Sequence, residues 1–224
     1  MIVDEKRPIT LVGGADVTKA TLNRARALAP VVVAADGGAD VALINHAVPQ
    51  AVIGDFDSLS DWARGQLPSS ALHPIPDQDS TDFDKCLRNI QTPLVIGVGF
   101  SGARLDHQLA AYNTLVRHPH RRCILLGTEE LVFLAPPELR LDLPKGCEVS
   151  LFPFGAVEGV SDGLKYPIGG LNFAPDGRVG TSNHATGPVS LSVTAPKMLV
   201  ILPQIMLEIA AEALLHARAD WPED

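Results

Sequence analysis

The sequence predicts an α/β N-terminal domain with a parallel sheet, followed by an all-β sandwich. Over the first 127 residues, short apolar runs alternate with helical patterns, which is typical of βαβ units. These apolar runs are continuous, as in strands that are covered on both faces. Beyond Gly127, short strand patterns follow one another between Pro and Gly residues, and residues 189–193 alternate with a period of two. That alternation indicates an antiparallel sheet with one face in water.

The periodicity assigns each element of the first part in order. We expect strands at 9–12, 31–35, 51–53, 94–98 and 123–126, where β-branched and other apolar residues are continuous. We expect helices at 19–28, 39–45, 62–67, 81–90 and 105–117, where apolar residues recur with helical spacing.

The second part is assigned in the same way. We expect strands at 131–135, 139–143, 148–154, 178–182, 189–194 and 198–202, and a helix at 204–219. The predicted organisation is therefore an α/β domain at 1–130, a β-sandwich at 131–203 and a helical tail at 204–224.

Composition excludes several classes of protein. The 224 residues include 26 acidic and 18 basic side chains, a formal charge of −8, and no basic stripe suited to nucleic acid is present. The most basic segment, 117–122, is interpreted as a solvated turn. Three widely spaced cysteines favour free thiols over disulfides or a zinc site. With no signal peptide or membrane span recognised, we expect a soluble cytoplasmic protein.

Aspartate is concentrated in one part of the chain. Residues 36–106 hold ten of the 17 aspartates and no glutamate. Asp36 follows one predicted strand, and Asp55 and Asp57 follow the next. Because the carboxyl ends of parallel strands border the ligand crevice, these carboxylates should converge and hold a hard cation such as Mg²⁺. The alternative is that they only end strands in turns.

The segment 77–85 (DQDSTDFDK) begins the fourth predicted helix. Asp79 or Ser80 is expected to cap that helix, and acidic residues in the first turn suit its dipole. Asp82 and Lys85, three residues apart, should share a face where a cation and a phosphate would meet the helix.

A glycine-rich turn at 97–102 precedes the fifth predicted helix. We interpret it as a phosphate-facing turn that delivers Arg104, Asp106 and His107, because the Arg fork suits phosphate oxygens. The alternative is a surface Arg–Asp pair at the start of a helix.

Taken in order, these segments resemble those of the thiamine pyrophosphokinase (thiamine diphosphokinase) family. The matching segments are 35–39 (ADGGA), 54–58 (GDFDS), 77–85 (DQDSTDFDK), 102–107 (GARLDH), 163–167 (GLKYP) and 181–183 (TSN). Two departures are visible: Ala103 replaces a frequent Gly, and Tyr166 stands where some members have Trp.

The resemblance implies an N-terminal α/β catalytic domain and a C-terminal β-sandwich that binds thiamine. It implies ATP as co-substrate, Mg²⁺ as cofactor, and attack of the thiamine hydroxyl on the β-phosphorus to give thiamine diphosphate and AMP. It also implies a homodimer with active sites shared between subunits. The tail lies beyond the resemblance, and one hypothesis is that it extends the dimer interface.

The resemblance also implies roles for single residues. Metal-facing carboxylates would be Asp55, Asp57 and Asp82, with Arg104 and Asp106 completing the catalytic set. The nucleotide and phosphate contacts would be Asp36, Gly37, Gln78, Thr81, Lys85, Arg104, Asp106 and His107. Tyr166, Ser182 and Asn183 would be the thiamine-side residues. Tyr166 could instead be an ordinary core residue, and Asn183 could pair with the pyrimidine edge or hold a turn.

Two rival functions stay open at this stage. A magnesium-dependent phosphohydrolase or nucleotidyl-sugar enzyme would explain the aspartates but not the segments 163–167 and 181–183. A nucleotide or thiamine sensor would keep the fold without turnover. The catalytic base is not assigned, although a member of the aspartate cluster is the natural candidate.

Overall fold

A computed structural model describes residues 1–102 and 104–223. Ala103, one of the two departures from the family pattern, lies outside the described residues, as does Asp224 at the end of the predicted tail. The chain divides into two compact units. The first comprises Met1–Thr114 and Leu125–Gly127, and the second comprises Leu115–Ile124 and the chain from Thr128 onward.

The first unit alternates strands and helices. Its strands are β1 (Val3–Asp4), β2 (Ile9–Val12), β3 (Val31–Ala35), β4 (Ala51–Gly54), β5 (Leu72–Pro74), β6 (Ile90–Gln91) and β7 (Val95–Val98). Its helices are α1 (Lys19–Leu28), α2 (Gly38–Ile44), α3 (Asp61–Gln66) and α4 (Asp82–Asn89). Helix α5 (Leu105–Arg117) and strand β8 (Cys123–Leu126) each have residues in both units.

Strand pairing in the first unit is parallel, which confirms that prediction. β3, β4 and β5 form a three-stranded sheet in that order. β2 pairs with β7, and β1 pairs with β6. The continuous apolar runs of β2, β3, β4 and β7 are buried along their whole length. Ala35 lies opposite Ile53, so β3 and β4 end at the same edge.

The second unit consists mainly of antiparallel strands. They are β9 (Glu130–Leu134), β10 (Glu138–Leu141), β11 (Glu148–Pro153), β12 (Val157–Leu164), β13 (Asn172–Phe173), β14 (Gly180–Val193) and β15 (Met198–Pro203). The pairing follows the order β9, β15, β11, β14, β12 and β13, and β10 also pairs with β14. This architecture agrees with a β-rich second half, while the sandwich itself stays a prediction.

Strand β14 corrects the prediction of two separate strands at 178–182 and 189–194. It is continuous from Gly180 to Val193, pairs with β11 over its first part, and pairs with β10 and β12 over its second part. Gly187 and Pro188 interrupt the apolar alternation in its middle, which is why the pattern suggested a break. Strand β12 is absent from the predicted elements, because only its end residues, Val157 and Leu164, are buried.

The tail also differs from its prediction. The expected helix at 204–219 is a short 3₁₀ turn, Gln204–Met206, followed by α6 (Leu207–Leu215). The interpretation of 117–122 as a solvated turn was wrong for Arg122. Its guanidinium donates to the carbonyls of Leu215 and Ala217 and pairs with Asp220 at 2.7 Å.

A second hydrogen bond fixes the tail to the same unit. The Trp221 indole nitrogen donates to the carbonyl oxygen of Ala135 at 2.9 Å. Together with the Arg122 contacts, it ties the chain beyond α6 onto the second unit.

All three cysteines are free and buried, as expected. Burial raises the pKa of the Cys86 and Cys123 thiols above the ordinary range. The Cys86 thiol, on α4, donates to the Ile53 carbonyl on β4. Within the described ranges, no helix combines the length and apolar character needed to cross a membrane.

Candidate active site

Three carboxylates meet where β3 and β4 end. Asp36 directly follows β3, Asp55 directly follows β4, and Asp57 comes two residues later. One oxygen from each lies within 4.8 Å of the other two. The parallel register brings the two strand ends together, so the predicted convergence of these residues is confirmed.

The backbone around these carboxylates adopts left-handed conformations. Asp36 has φ 44°, which aspartate tolerates, but Phe56 has φ 67°, which is unusual for a bulky side chain. The Phe56 ring packs against a buried cluster that includes Val52 and Leu59, and the Arg64 guanidinium lies 5.4 Å from its centroid. This packing holds the strained residue that separates Asp55 from Asp57.

Gly54 allows the close approach of the two strand ends. A Cβ atom at this position would lie 2.7 Å from the Asp36 Cβ and 3.2 Å from Asp82 Oδ1. Any larger residue would therefore displace Asp36. Phe56 is not among the predicted site residues, because its only signal in the sequence is its position between two aspartates.

Asp36 is the most buried of the three carboxylates, at 2% exposure. Its Oδ2 accepts a hydrogen bond from the Ser58 amide at 3.0 Å, whereas its Oδ1 is buried and has no hydrogen-bond partner among the described residues. Burial, together with the charges of Asp82 and Asp57, raises the pKa of Asp36 to about 6. An unsatisfied buried carboxylate oxygen beside two other carboxylates suits a hard cation.

Lys85 joins α4 to the strand ends. Its side chain is 1% exposed, and its ammonium lies 2.8 Å from Asp55 and 3.0 Å from Asp82. Burial alone would lower the pKa of Lys85, but the two hydrogen bonds outweigh it and the pKa is raised. The hydrogen bond from Lys85 lowers the pKa of Asp55. Asp82, predicted as a metal ligand, thus lies beside the three carboxylates and is paired with Lys85.

The loop before α4 is hydrogen-bonded to one of the three strand-end carboxylates. Gln78 Nε2 donates to Asp55 at 3.1 Å. The prediction that Asp79 or Ser80 caps α4 was wrong, because the helix begins at Asp82 and the Thr81 hydroxyl accepts from the Asp84 amide. Ser80 instead donates to Asp77.

Arg104 and Asp106 are paired with each other rather than with the strand-end carboxylates. The Arg104 guanidinium contacts Asp106 at 2.7 Å, and both side chains are about two-thirds exposed. This hydrogen bond lowers the pKa of Asp106. The His107 amide also donates to Asp106. Gly37 caps α2 beside Ser58, so the predicted nucleotide-side turn lies directly against the carboxylates.

The predicted thiamine-side residues lie in the second unit. Tyr166 is 58% exposed, so it is not a core residue, and the Lys165 ammonium lies 5.2 Å from its ring centroid. Ser182 is exposed with φ 61°. Asn183 is buried, and its amide is bonded to the backbone of Tyr166.

Solved structures of similar fold span both units. A thiamin pyrophosphokinase from Candida albicans matches with a TM-score of 0.72 and 16% identity, covering 91% of this chain and 94% of that chain. One from Geobacillus thermodenitrificans matches with a TM-score of 0.72 and 20% identity, covering 88% and 96%. At these identities the likeness establishes the fold alone.

Curated relatives add a sequence match. Thiamine pyrophosphokinase 1 of Arabidopsis thaliana is 26% identical over 162 residues, 64% of this chain and 61% of the relative. Thiamine pyrophosphokinase 3 of Oryza sativa subsp. japonica is 26% identical over 154 residues, 60% of this chain and 58% of the relative. The chain thus spans about three-fifths of the length of the curated relatives it matches.

Two family models match successive parts of the chain. The model of the thiamin pyrophosphokinase catalytic domain matches residues 22–126, which include the strand-end carboxylates and Lys85. The model of the vitamin B1 binding domain of the same family matches residues 138–198, which include Tyr166 and Asn183. With both of its domains matched in order over well over half of the sequence, the chain belongs to the thiamine pyrophosphokinase family.

Proposed function

We propose that this chain transfers the pyrophosphoryl group of ATP to the hydroxyl of thiamine, giving thiamine diphosphate and AMP. In this reaction the thiamine oxygen forms a bond to the β-phosphorus, and the bond from that phosphorus to the oxygen on the α-phosphorus breaks. The observation that carries the proposal is the group of three carboxylates at the ends of β3 and β4, within the part matched by the catalytic domain.

The donor set fits magnesium. Asp36, Asp55 and Asp57 offer hard oxygen ligands, and Asp36 Oδ1, which has no partner among the described residues, is the atom that most needs a cation. Asp36 therefore joins Asp55, Asp57 and Asp82, the metal-facing set that the family resemblance implies, as its position directly after a strand predicts. A bound Mg²⁺ would supply positive charge to neutralise phosphate oxygens during transfer.

The chain's own cations and polar groups would orient the nucleotide. Lys85 uses two of its three N–H donors on Asp55 and Asp82, which leaves one for a phosphate oxygen. Arg104 is exposed, and its guanidinium would move from Asp106 to bind a phosphate. Gln78 holds Asp55 in place. Thr81 and His107 stay predicted nucleotide contacts at the start of α4 and α5.

Tyr166 is the proposed platform for thiamine. Its exposed ring already accepts one cation, the Lys165 ammonium, which is the kind of contact that a positively charged ligand would make. Ser182, held at a positive φ on β14, has an exposed side chain. We assign the thiamine side of the reaction to these two side chains.

The test is a product analysis. The purified chain is incubated with ATP, Mg²⁺ and thiamine, and the nucleotides and thiamine species are separated by chromatography. We expect AMP and thiamine diphosphate in equal amounts, only when metal and thiamine are both present. ADP or free phosphate would contradict the proposal and indicate a monophosphoryl kinase or a hydrolase. Saturable thiamine binding without turnover would contradict it in favour of a sensor.

Self-association is a further part of the proposal. Helix α5 exposes two leucines one turn apart, Leu105 at 67% and Leu109 at 51%, which offer apolar surface to a second copy of the chain. We propose a homodimer, as the family resemblance implies. Sedimentation of the purified chain is expected to give twice the mass of one chain, and a monomer at all concentrations would contradict it.

A further inference from the structure

Just beyond the end of β12, the Asn183 side chain makes the backbone hydrogen bonds that a neighbouring strand would make. Its Oδ1 accepts a hydrogen bond from the Tyr166 amide at 3.0 Å, and its Nδ2 donates to the Tyr166 carbonyl at 2.7 Å. A neighbouring strand makes this pair of bonds to a residue in an antiparallel ladder. The last backbone bond of the ladder, from the Lys165 amide to the His184 carbonyl, lies one residue before it.

Most of the hydrogen-bonding capacity of Asn183 is used in this way. A side-chain amide can make four hydrogen bonds, and Oδ1 accepts a second one from the His184 amide at 2.9 Å. Three of the four are therefore committed to backbone atoms. Both acceptor positions of Oδ1 are used, so Asn183 has one N–H left and cannot offer a pyrimidine edge a donor and an acceptor together.

An irregularity in β14 explains how Asn183 reaches this position. The pairing of β11 with β14 shifts register between Val149 and Leu151, and Ser182 adopts φ 61° at the shift. The Ser182 amide is bonded to the Ser150 hydroxyl at 3.0 Å. Such a bulge redirects the neighbouring side chains, and here Ser182 is exposed while Asn183 is buried against Tyr166.

We infer that Asn183 is a positioning residue that fixes the backbone of Tyr166, and through it the aromatic ring that receives thiamine. It does not itself read the edge of the pyrimidine. This inference rests on the proposed function, because it takes Tyr166 as the thiamine platform. The sequence leaves two alternatives open for Asn183, pairing with the pyrimidine edge or holding a turn. The inference favours the second and makes that turn part of the substrate-binding site.

A double-mutant cycle on the whole chain tests the inference. Asn183→Ala removes both bonds to Tyr166, so we expect the KM for thiamine to rise by about tenfold while the KM for ATP stays unchanged. In a Tyr166→Ala background, the same change is expected to leave the KM for thiamine unaltered, since the ring it positions is gone. Equal effects in both backgrounds would overturn the inference and make Asn183 a direct ligand of thiamine.

The matched control is Thr186→Val. Thr186 lies on the same strand, and its hydroxyl donates to the Gly163 carbonyl on β12, but within the described part of the chain it has no hydrogen bond to Tyr166. This variant is expected to keep the wild-type KM for thiamine. Melting temperatures of all variants report whether any of them has lost the fold.

A readout independent of activity separates this inference from the proposed function. Amide exchange followed by NMR is expected to show a protected Tyr166 amide in the wild type and faster exchange in Asn183→Ala. If the wild type makes no thiamine diphosphate, the proposed function fails, and the exchange result still tests the positioning of Tyr166. Unchanged exchange in Asn183→Ala would overturn the positioning role whatever the activity.

Discussion

The carboxylate group at the ends of β3 and β4 and the turn at Tyr166 are stabilised in opposite ways. In the first, like charges are brought together, a bulky residue is held at a positive φ, and the Asp36 Oδ1 is buried without a partner among the described residues. In the second, a neutral amide satisfies the backbone of an exposed aromatic residue. The two regions therefore carry very different electrostatic costs.

This difference indicates what each region needs from a ligand. Carboxylates that repel one another gain from a cation, so the first region is completed by binding. The Tyr166 turn is already satisfied within the chain, so it can receive a ligand without rearranging its backbone bonds. Metal should accordingly change the stability of the first region, whereas thiamine should leave the second region as it is.

Removing a charge from the first region should have the largest effect. Asp57→Asn is expected to lower kcat by about 100-fold or more, because it removes a negative charge from the proposed metal site. The measurement is the rate of AMP formation with saturating substrates. Asp61→Asn, an exposed carboxylate in the first turn of α3, is the control and should retain the wild-type rate. Near-normal activity of Asp57→Asn would refute the metal assignment.

Loss of the buried cation should mainly affect stability. Lys85→Met leaves Asp55 and Asp82 unpaired, and we expect the free energy of unfolding to fall by about 2–3 kcal/mol, less than for a fully buried pair because Asp82 is partly exposed. Urea unfolding of the metal-free protein measures this. Lys19→Met, an exposed lysine at the start of α1, should change stability by less than about 0.5 kcal/mol. Equal effects would show that the Lys85 pairs contribute little.

The ionisation of Asp36 should make the stability of the metal-free protein depend on pH. Burial raises the pKa of Asp36 from 3.8 to about 6, so the folded protein retains this proton between about pH 4 and pH 6 and the unfolded chain does not. Raising the pH through that window therefore destabilises the metal-free wild type. Asp36→Asn, which tolerates the same positive φ, is not destabilised in this way.

The measurement is the melting temperature of both proteins in a chelator from pH 4 to pH 8. The gain in melting temperature from Asp36→Asn is expected to be small at pH 4, to grow up to about pH 6 to 7, and then to level off. A difference that does not vary with pH would contradict the burial of an ionised Asp36.

The smallest effect is expected at the tail. Truncation after Ala217 removes Asp220 and Trp221, and we expect a loss of about 1–2 kcal/mol in the free energy of unfolding. Trp221→Phe, which removes only the N–H donor, should lose less. Because these contacts hold the tail to its own unit, sedimentation is expected to show the same number of chains per particle as in the wild type. A lower mass would favour the hypothesis that the tail extends a dimer interface.

Sequence reasoning succeeded where a local pattern has one structural meaning. Continuous apolar runs gave the parallel strands β2, β3, β4 and β7, and the position of Asp36, Asp55 and Asp57 after two of them predicted their convergence. It failed where the pattern is ambiguous. Strand β12 has few buried residues and several polar ones, and Gly187-Pro188 obscured the continuity of β14.

The finer contacts of the site had no local signal. Asn183 and Tyr166 are 17 residues apart, and Lys85 and Asp55 are 30 apart, so both contacts depend on how distant segments pack. The predicted roles of Arg104, Asp106 and His107 toward the nucleotide stay predictions, since Arg104 and Asp106 are bonded to each other.

The buried thiol of Cys86 gives this chain a built-in reporter. Its sulfur lies against the Ile53 carbonyl, directly behind the carboxylates, and a thiol reagent can reach it only when α4 separates from β4. The rate of labelling at Cys86 would therefore measure local opening beneath the three carboxylates. Slower labelling with added Mg²⁺ would show that a bound cation makes the separation of α4 from β4 less frequent. This measurement needs no engineered probe.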